Sequence, residues 1–340
     1  MRIAVYGATG FTAGLVMNEL ARRGVATVAI GRDIERVRAA GLPPGAEPRA
    51  AALDDPDRLA AALSGCDAVI NCVTPFDLHG EPVVRAALAA GCHYVDTTGE
   101  QGYLRRLFAT YAADAERAGV TVLPALTDDG VPGDLIAHLV AGELGGEVAE
   151  LTIADLRLPG SASRGTARTA VRHAEELRNG GLTWADGRWH GPGRPVRRTE
   201  VAGRPVVKFA LPGVVTVPRH VRAGHIEGVI AAEVAEAFTS ITGEWADSLP
   251  SGPDAGQRAA GRWRMAAHAT AADGREAHGA VWGTDVYGTT ATIAVEGVHR
   301  LLTDGAKPGV LAPAEAFAPV SFLDALGGAG VRWEVTTGAR

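Results

Sequence analysis

The chain opens Met1-Arg-Ile-Ala-Val-Tyr6-Gly7-Ala-Thr9-Gly10-Phe11-Thr12-Ala13-Gly14, and the reading of these fourteen residues decides the fold. Arg2 to Tyr6 is a short apolar run that suits a buried parallel strand. It stops at Gly7, and from Phe11 onward Leu15, Val16, Leu20 and Ala21 follow helical spacing. A strand that turns on glycines straight into a helix aims the free N–H groups of the first helical turn at one spot. That spot attracts a pyrophosphate, and glycine lets the phosphate approach the backbone. GxxGxx(G/A) alone is a short pattern, but here it stands in the strand–turn–helix context that the mechanism requires. Gly7, Thr9, Gly10, Phe11, Thr12 and Ala13 are the expected pyrophosphate-binding residues.

The next apolar run, Ala26-Thr-Val-Ala-Ile30, ends at Gly31-Arg32-Asp33. In NAD-selective sites an acidic residue about 20 positions past the glycines takes the ribose 2′-hydroxyl. Arg32 stands in that place. Its guanidinium suits a 2′-phosphate and offers adenine a flat face, so the expected cofactor is NADPH. Asp33 comes one residue late and is expected to cap the helix beginning at Ile34.

With 340 residues the chain is too long for one ordinary core and implies two domains. Its 46% hydrophobic and 21% charged residues are those of a globular enzyme. A formal charge of −6 gives no electrostatic reason to expect nucleic acid. Cys66, Cys72 and Cys92 form no CxxC or zinc spacing, no H-E-x-x-H is present, and no metal is expected. Reduced thiols, a first strand at Met1 and no apolar run of membrane-spanning length lead to the expectation of a cytoplasmic protein without a signal peptide or membrane partner.

Strand and helix alternate through the first part. Helices are expected over 35–40, 57–63, 83–90 and 103–117, and strands ending at Leu53 and over 68–72, 94–96 and 120–124. Such alternation means an α/β, doubly wound Rossmann domain with ligands at the carboxyl ends of its strands. Asp54 falls where the adenine edge would lie. From Val148 the pattern changes to longer alternating strands at 151–158, 204–211, 214–218, 262–270 and 276–286, which suits an inserted α+β, mainly antiparallel domain. Helices follow at 291–302 and 321–326, with a strand at 331–336. The expected division is 1–130 plus roughly 288–328 for the dinucleotide-binding domain. The rest, 131–287 plus 329–340, would be a substrate and dimerisation domain.

Five stretches line up with a known family. They are Val5-Tyr-Gly-Ala-Thr-Gly-Phe-Thr-Ala-Gly14; Ile70-Asn-Cys-Val-Thr-Pro-Phe76 with Gly80-Glu-Pro-Val-Val84; Tyr94-Val-Asp-Thr-Thr-Gly-Glu100; Asp128-Asp-Gly-Val-Pro-Gly-Asp134; and Gly283-Thr-Asp-Val-Tyr287 with the Gly309-Val-Leu-Ala-Pro313 tail. Together they resemble the saccharopine dehydrogenase-like oxidoreductases, including the bacterial trans-acting enoyl reductases. The resemblance is strong to about Asp134 and weaker in the middle. It implies a Rossmann domain with an inserted substrate domain, NADP(H), and reduction of C=N or C=C. Two departures stand out: Ala13 replaces the third glycine, and Gly130 replaces the usual serine of the Asp-Ser-x-Pro-x-Asp turn.

At the exit of the fourth strand, Cys72, Val73, Thr74, Pro75 and Phe76 are expected beside the nicotinamide ribose, with Phe76 packing on the ring. At the exit of the fifth, Asp96 and Gly99 either hold the carboxamide or, in the case of Asp96, brace the loop. Asp129 is expected at the N-cap of the helix that follows it, with direct catalysis as the other reading. No Tyr-x-x-x-Lys pair exists, which argues against ordinary ketone reduction by that apparatus. Candidate proton donors are His79, His225, Tyr287 and Asp77. Arg164, Arg168 and Arg172 recur on one helical face over 163–178. They read either as a dock for an acidic carrier protein or its phosphopantetheine phosphate, or as a solvated face with Arg172 and Glu176 paired. The expected function is therefore an NADPH-dependent reductase of a C=N or activated C=C bond in a small or carrier-bound metabolite, working as a homo-oligomer, with a non-catalytic NADP(H) sensor as the alternative.

Overall fold

A computed structural model describes residues 1–337. Chain contacts divide it into two compact units. The first comprises Met1–Thr98, Gly102–Thr127 and Thr290–Leu311; the second comprises Gly99–Gln101, Asp128–Thr289 and Ala312–Arg340. Residues 312–328, expected with the dinucleotide-binding part, therefore cluster with the second unit. The end of the expected span 329–340 lies outside the described residues at 338–340.

The first unit is a seven-stranded parallel sheet. Its strands are β1 (Arg2–Tyr6), β2 (Ala26–Gly31), β3 (Glu47–Ala50), β4 (Ala68–Asn71), β5 (His93–Asp96), β6 (Thr121–Leu123) and the short Gly309–Val310. Their spatial order is β3-β2-β1-β4-β5-β6, with Gly309–Val310 parallel to β6 on the outer edge. That order is the dinucleotide-binding topology, whose crevice opens where the order reverses beside β1. Central β1 is hydrogen-bonded to a neighbour on each edge, and its residues Ile3 to Tyr6 are buried. Helix α1 (Phe11–Arg22) turns Ala13, Val16, Met17 and Leu20 inward at helical spacing. Ala13 is fully buried, so a small residue still serves the packing role of the third glycine.

Asp33 caps α2 (Ile34–Arg38) as the sequence implies, accepting from the N–H groups of Glu35 and Arg36 at 2.9 and 3.1 Å. After α3 (Pro56–Leu63), helix α4 runs over Phe76–Ala90 rather than 83–90, with Pro82 inside it. The lost N–H would have met the carbonyl of Leu78, a residue 53% exposed, where water can replace it. The helix expected over 103–117 is two, α5 (Gln101–Thr110) and α6 (Ala112–Ala118), with the break at Tyr111, whose hydroxyl donates to Glu81 at 2.9 Å.

The second unit opens with α7 (Val131–Glu143) and is built on a nine-stranded mixed sheet. Its strands are β7 (Val148–Asp155), β8 (Thr183–Ala185), β9 (Arg188–His190), β10 (Glu200–Val201), β11 (Arg204–Lys208), β12 (Ala223–Ala231), β13 (Arg262–Ala271), β14 (Glu276–Thr284) and Arg332–Thr337. β12 and β7 are parallel, and every other described pairing in this sheet is antiparallel. β12 was not foreseen because glycines interrupt its apolar alternation. Gly228 is required there, since a Cβ would lie 2.7 Å from the carbonyl oxygen of Phe209, just past β11. The strand expected over 214–218 is instead a helical turn, Gly213–Thr216, continuing as the 3-10 turn Val217–Arg219. All of 213–217 is buried, and a short run with no polar face carries no period to separate strand from helix.

Candidate dinucleotide site

The turn after β1 is shaped by close contact. Gly7 has φ +88°, and a Cβ on it would sit 2.6 Å from Cγ2 of Val73 at the exit of β4. Glycine is therefore required twice over, for the left-handed backbone and for the space. The N–H groups of Gly7 and Ala8 both donate to the carbonyl of Ile30, at 2.9 and 3.0 Å, and Gly10 N–H donates to Gly7 O at 2.8 Å. These bonds pin the turn to β2 and aim it into α1. Gly10, at the N-cap, brings no side-chain cap, and the first turn of α1 carries no acidic residue. The positive end of this 12-residue helix is thus left for an anion from outside the chain.

At the end of β2, Arg32 is exposed. Buried Tyr6, on neighbouring β1, senses it. Burial pushes the Tyr6 phenol up to about 12, the Arg32 charge draws it down, and the Asp54 charge raises it. The Tyr6 hydroxyl donates to Ala51 O at 3.0 Å and so tethers the segment leading to Asp54. Arg32 and Asp54 thus flank one point at the carboxyl edge of β1 and β2. Asp33, the carboxylate next in sequence to Arg32, is engaged in its cap and so does not compete for the 2′ position. These residues fit a dinucleotide with a 2′-phosphate.

The exits of β4 and β5 meet the sequence expectations unevenly. Val73 packs against Gly7, and Thr74 is exposed. Pro75, joined to Thr74 by a cis peptide bond, precedes α4 at its N-cap. Burial, with the Asp96 charge, raises the Cys72 thiol to about 12, so it stays protonated. Phe76 is corrected: it is 1% exposed in the core and tilted against Tyr103 at 5.9 Å, with no face left for a nicotinamide ring. Its position at N1 of an amphipathic helix favours the core over the cleft.

Asp96 is also corrected, toward the bracing role. It is fully buried; its Oδ1 accepts from the N–H groups of Thr98 and Ala125 at 3.1 and 3.0 Å, and its Oδ2 accepts from the Tyr94 hydroxyl at 2.9 Å. The Tyr94 hydroxyl also receives the Asn71 amide at 3.1 Å and lies 2.9 Å from the Tyr103 hydroxyl. Asn71 Oδ1 in turn accepts from Val73 N–H at 3.1 Å. This Asn71–Tyr94–Asp96–Tyr103 network fixes both strand exits and was missed. Its signal was legible: Asn71 ends an otherwise apolar buried strand, and Tyr94 and Asp96, two apart, share a face of β5.

Burial raises the Asp96 carboxyl to about 7, against the pull of its hydrogen-bond donors. An acid whose folded value is raised contributes stability that is complete below its unfolded value, about 3.9, and is lost as pH rises through about 7. Asp96→Asn, which mimics the protonated acid, is expected to flatten that dependence. Denaturant unfolding between pH 5 and 8 checks this: the wild type should lose stability relative to the variant across that range, and parallel curves would refute it.

Within the second unit, His225 is not brought to the aspartate turn. Asp129 does not hold the N-cap position, which is Gly130. Asp129 lies instead beside Gly99, with Oδ2 3.7 Å from a Cβ built on that residue. Beside it Arg157 bonds Asp155 at 2.5 Å and Asp128 at 3.1 Å. Burial works against the Arg157 charge, but the carboxylates of Asp155, Asp128 and Asp129 raise its pKa further. Tyr287 serves the fold: its hydroxyl accepts from Ser163 N–H at 2.7 Å and meets the Thr166 hydroxyl at 3.2 Å, at the start of α8 (Arg164–Arg172). His79, half-buried, lies in the first turn of α4, its N–H bonded to Pro75 O. His225 is on β12 in register with Glu150 of β7, whereas Asp155 pairs with Ile230. Five residues of strand, about 16 Å, separate His225 from the aspartate turn.

The arginine face is also engaged within the second unit. Arg164 donates to Leu249 O at 2.7 Å and Arg168 to Asp247 at 2.8 Å. The helix stops at Arg172, and Glu176 meets His173 at 3.4 Å. No helix among the described residues is long and apolar enough to cross a membrane.

A parallel sheet in this strand order, a glycine turn feeding a helix and an arginine closing β2 define an NADP-binding Rossmann unit. Residues 3–123 match the family described as the saccharopine dehydrogenase NADP binding domain. The chain is 32% identical over 175 residues to a putative trans-acting enoyl reductase of Mycobacterium tuberculosis, covering 48% of this chain and 42% of the relative. It is 38% identical over 81 residues to a probable mitochondrial saccharopine dehydrogenase-like oxidoreductase of Arabidopsis thaliana, covering 24% of this chain and 18% of the relative. The chain thus spans less than half the length of these curated relatives. Among solved structures, saccharopine dehydrogenase (L-Glu forming) from Saccharomyces cerevisiae matches 99% of this chain and all of its own, with a TM-score of 0.64 and 16% identity. Amine dehydrogenase from Mycobacterium smegmatis matches 94% of this chain and 98% of its own, with a TM-score of 0.51 and 14% identity. These likenesses establish a shared fold.

Proposed function

We propose that the protein is an NADPH-dependent oxidoreductase that reduces a C=N or activated C=C bond of a small or carrier-bound metabolite. The observation that carries this reading is Arg32 at the end of β2, set with Asp54 about Tyr6 and next to a glycine turn that leaves the start of α1 open to an anion. The relatives named oxidoreductase and enoyl reductase support the reaction class.

When bound, NADPH supplies the hydride. The chain's own residues do the rest: the Gly7–Gly10 turn and the start of α1 hold the pyrophosphate, and Arg32 holds the 2′-phosphate. The Asn71–Tyr94–Asp96 network keeps the β4 and β5 exits at a fixed spacing. An iminium needs only a hydride and an enoyl thioester a hydride and then a proton on carbon, so neither demands a preset triad.

Following NADPH oxidation against imines, enoyl thioesters and ketones tests the proposal. Turnover is expected with the first or second class and not with simple ketones. Tight NADPH binding with no turnover on any class would overturn it in favour of a nucleotide sensor.

A further inference from the structure

Three polar side chains of the second unit stand in line, and the proposed reaction uses none of them. Asp134, in the first turn of α7, is fully buried. Its Oδ1 accepts from Ala314 N–H at 2.8 Å, and its Oδ2 lies 3.0 Å from Nε2 of His220, just past the 3-10 turn Val217–Arg219. His220 has a side chain 6% exposed, and its Nδ1 lies 3.1 Å from Nδ1 of His138, with the two rings tilted at 52°. Asp134 and His138 are four residues apart on one face of α7, so a single imidazole bridges them.

A hydrogen bond between two ring nitrogens holds one hydrogen: one ring donates and the other accepts with its lone pair. With N–H bonds of about 1 Å, a second hydrogen on a 3.1 Å line would lie only about 1 Å from the first. The pair can therefore carry one positive charge with the contact intact, and never two.

The surroundings decide which ring is charged. Burial works against the His220 charge, but Asp134, by its charge and its hydrogen bond, raises the His220 pKa above the ordinary histidine value; Glu315 adds to this and Arg219 opposes it. Burial lowers the His138 pKa, the His220 charge lowers it further, and Asp134 pulls it back. Glu315 and Arg219 are joined to each other at 2.7 Å. Of the other elements packed on α7, the sheet meets it with Met265, Ile153 and Gly279, and the helical turn Gly213–Thr216 carries no titratable side chain. Asp324, on the helix Pro319–Ala325, is bonded by Trp333 Nε1 at 2.9 Å, and Arg275 sits at the far end of α7 on the Leu144 carbonyl.

A histidine whose folded pKa is raised contributes stability that is complete below its unfolded value, about 6.5, and is lost as pH rises through the folded value. One whose folded pKa is lowered contributes stability that is present above about 6.5 and is lost as pH falls through the folded value. His220 follows the first rule and His138 the second, so the state with His220 charged and His138 neutral is favoured around pH 6.5 and ends in acid with His138.

We infer that Asp134, His220 and His138 form a proton-gated clasp: one shared proton ties the turn that carries His220 to α7, and a second, arriving on half-buried His138 in acid, breaks the Nδ1–Nδ1 contact and loosens that turn. The clasp lies wholly within the second unit and stands whether or not the reductase reading holds.

The test uses the full chain labelled with nitrogen-15 on histidine and on backbone amides. Near pH 6.5 a coupling across the hydrogen bond is expected between the two Nδ1 nuclei, with His220 protonated on both nitrogens, and it is expected to vanish as His138 takes up its proton in acid. Over the same titration the amides of His220 and Val221, both bonded to Val217 O, should lose about fivefold in protection after correction for intrinsic exchange. In His138→Gln the side-chain oxygen accepts from His220 but takes no proton, so that protection should stay level from pH 7 to 5. The coupling needs no variant and decides the matter even if His138→Gln fails to fold. No coupling near pH 6.5, a coupling that survives protonation of His138, or unchanged protection of both amides through that protonation would overturn the assignment.

Discussion

Arg32→Ala is expected to weaken NADPH binding by about 10- to 100-fold and leave NADH within about twofold. A charge-assisted contact to a phosphate contributes about 1.5–3 kcal/mol, and NADH lacks that phosphate. The side chain is exposed, so its removal opens no core cavity and the fold should be unaffected. Fluorescence titration of both nucleotides separates the outcomes: a parallel loss for both would show that Arg32 acts on something other than the 2′ position. Arg32→Lys should recover part of the NADPH affinity, since a point charge attracts phosphate without the bidentate fork. The difference should also shrink with added salt.

Gly7→Ala is the second large effect. The residue would carry a side chain at φ +88°, with its Cβ 2.6 Å from Val73 Cγ2. Backbone strain of about 1–3 kcal/mol adds to overpacking of similar size, so the first unit should lose about 2–6 kcal/mol. The turn would also shift away from the start of α1, and both NADPH and NADH should bind more weakly, in contrast to Arg32→Ala. Pairing it with Val73→Ala separates the two causes. The double variant should regain the packing part and keep the backbone part. Full recovery of denaturant stability in the double variant would show that φ at Gly7 costs nothing.

How much of this was readable in the sequence depends on what each residue answers to. Gly7, Gly10 and Asp33 respond to neighbours within a strand–turn–helix unit, so spacing alone placed the turn and the cap. Phe76 was placed at the right strand exit but assigned the wrong neighbour, and Asp96 was left open between the cleft and a bracing role. A side chain at such an exit can face cleft or core, and the choice is made by Tyr103 and by Tyr94 with the Ala125 N–H, which come from elsewhere in the chain. The helical turn at 213–217 is buried on all sides, so its pattern carried no period. β12 was hidden because Gly228 yields its side-chain space to the Phe209 carbonyl, a reason visible only once the strands are paired. His225 was singled out as a lone histidine, whereas it pairs with Glu227, two residues along the same strand.

The most direct test of the cofactor assignment is phosphorus-31 NMR of the NADPH 2′-phosphate on the wild-type protein. Free in water, such a phosphate monoester takes up a proton near pH 6. Held by Arg32, it should remain dianionic from pH 7 down to about 5, with a resonance that barely moves. A bound 2′-phosphate that still titrates near pH 6, as it does free, would contradict the site described here.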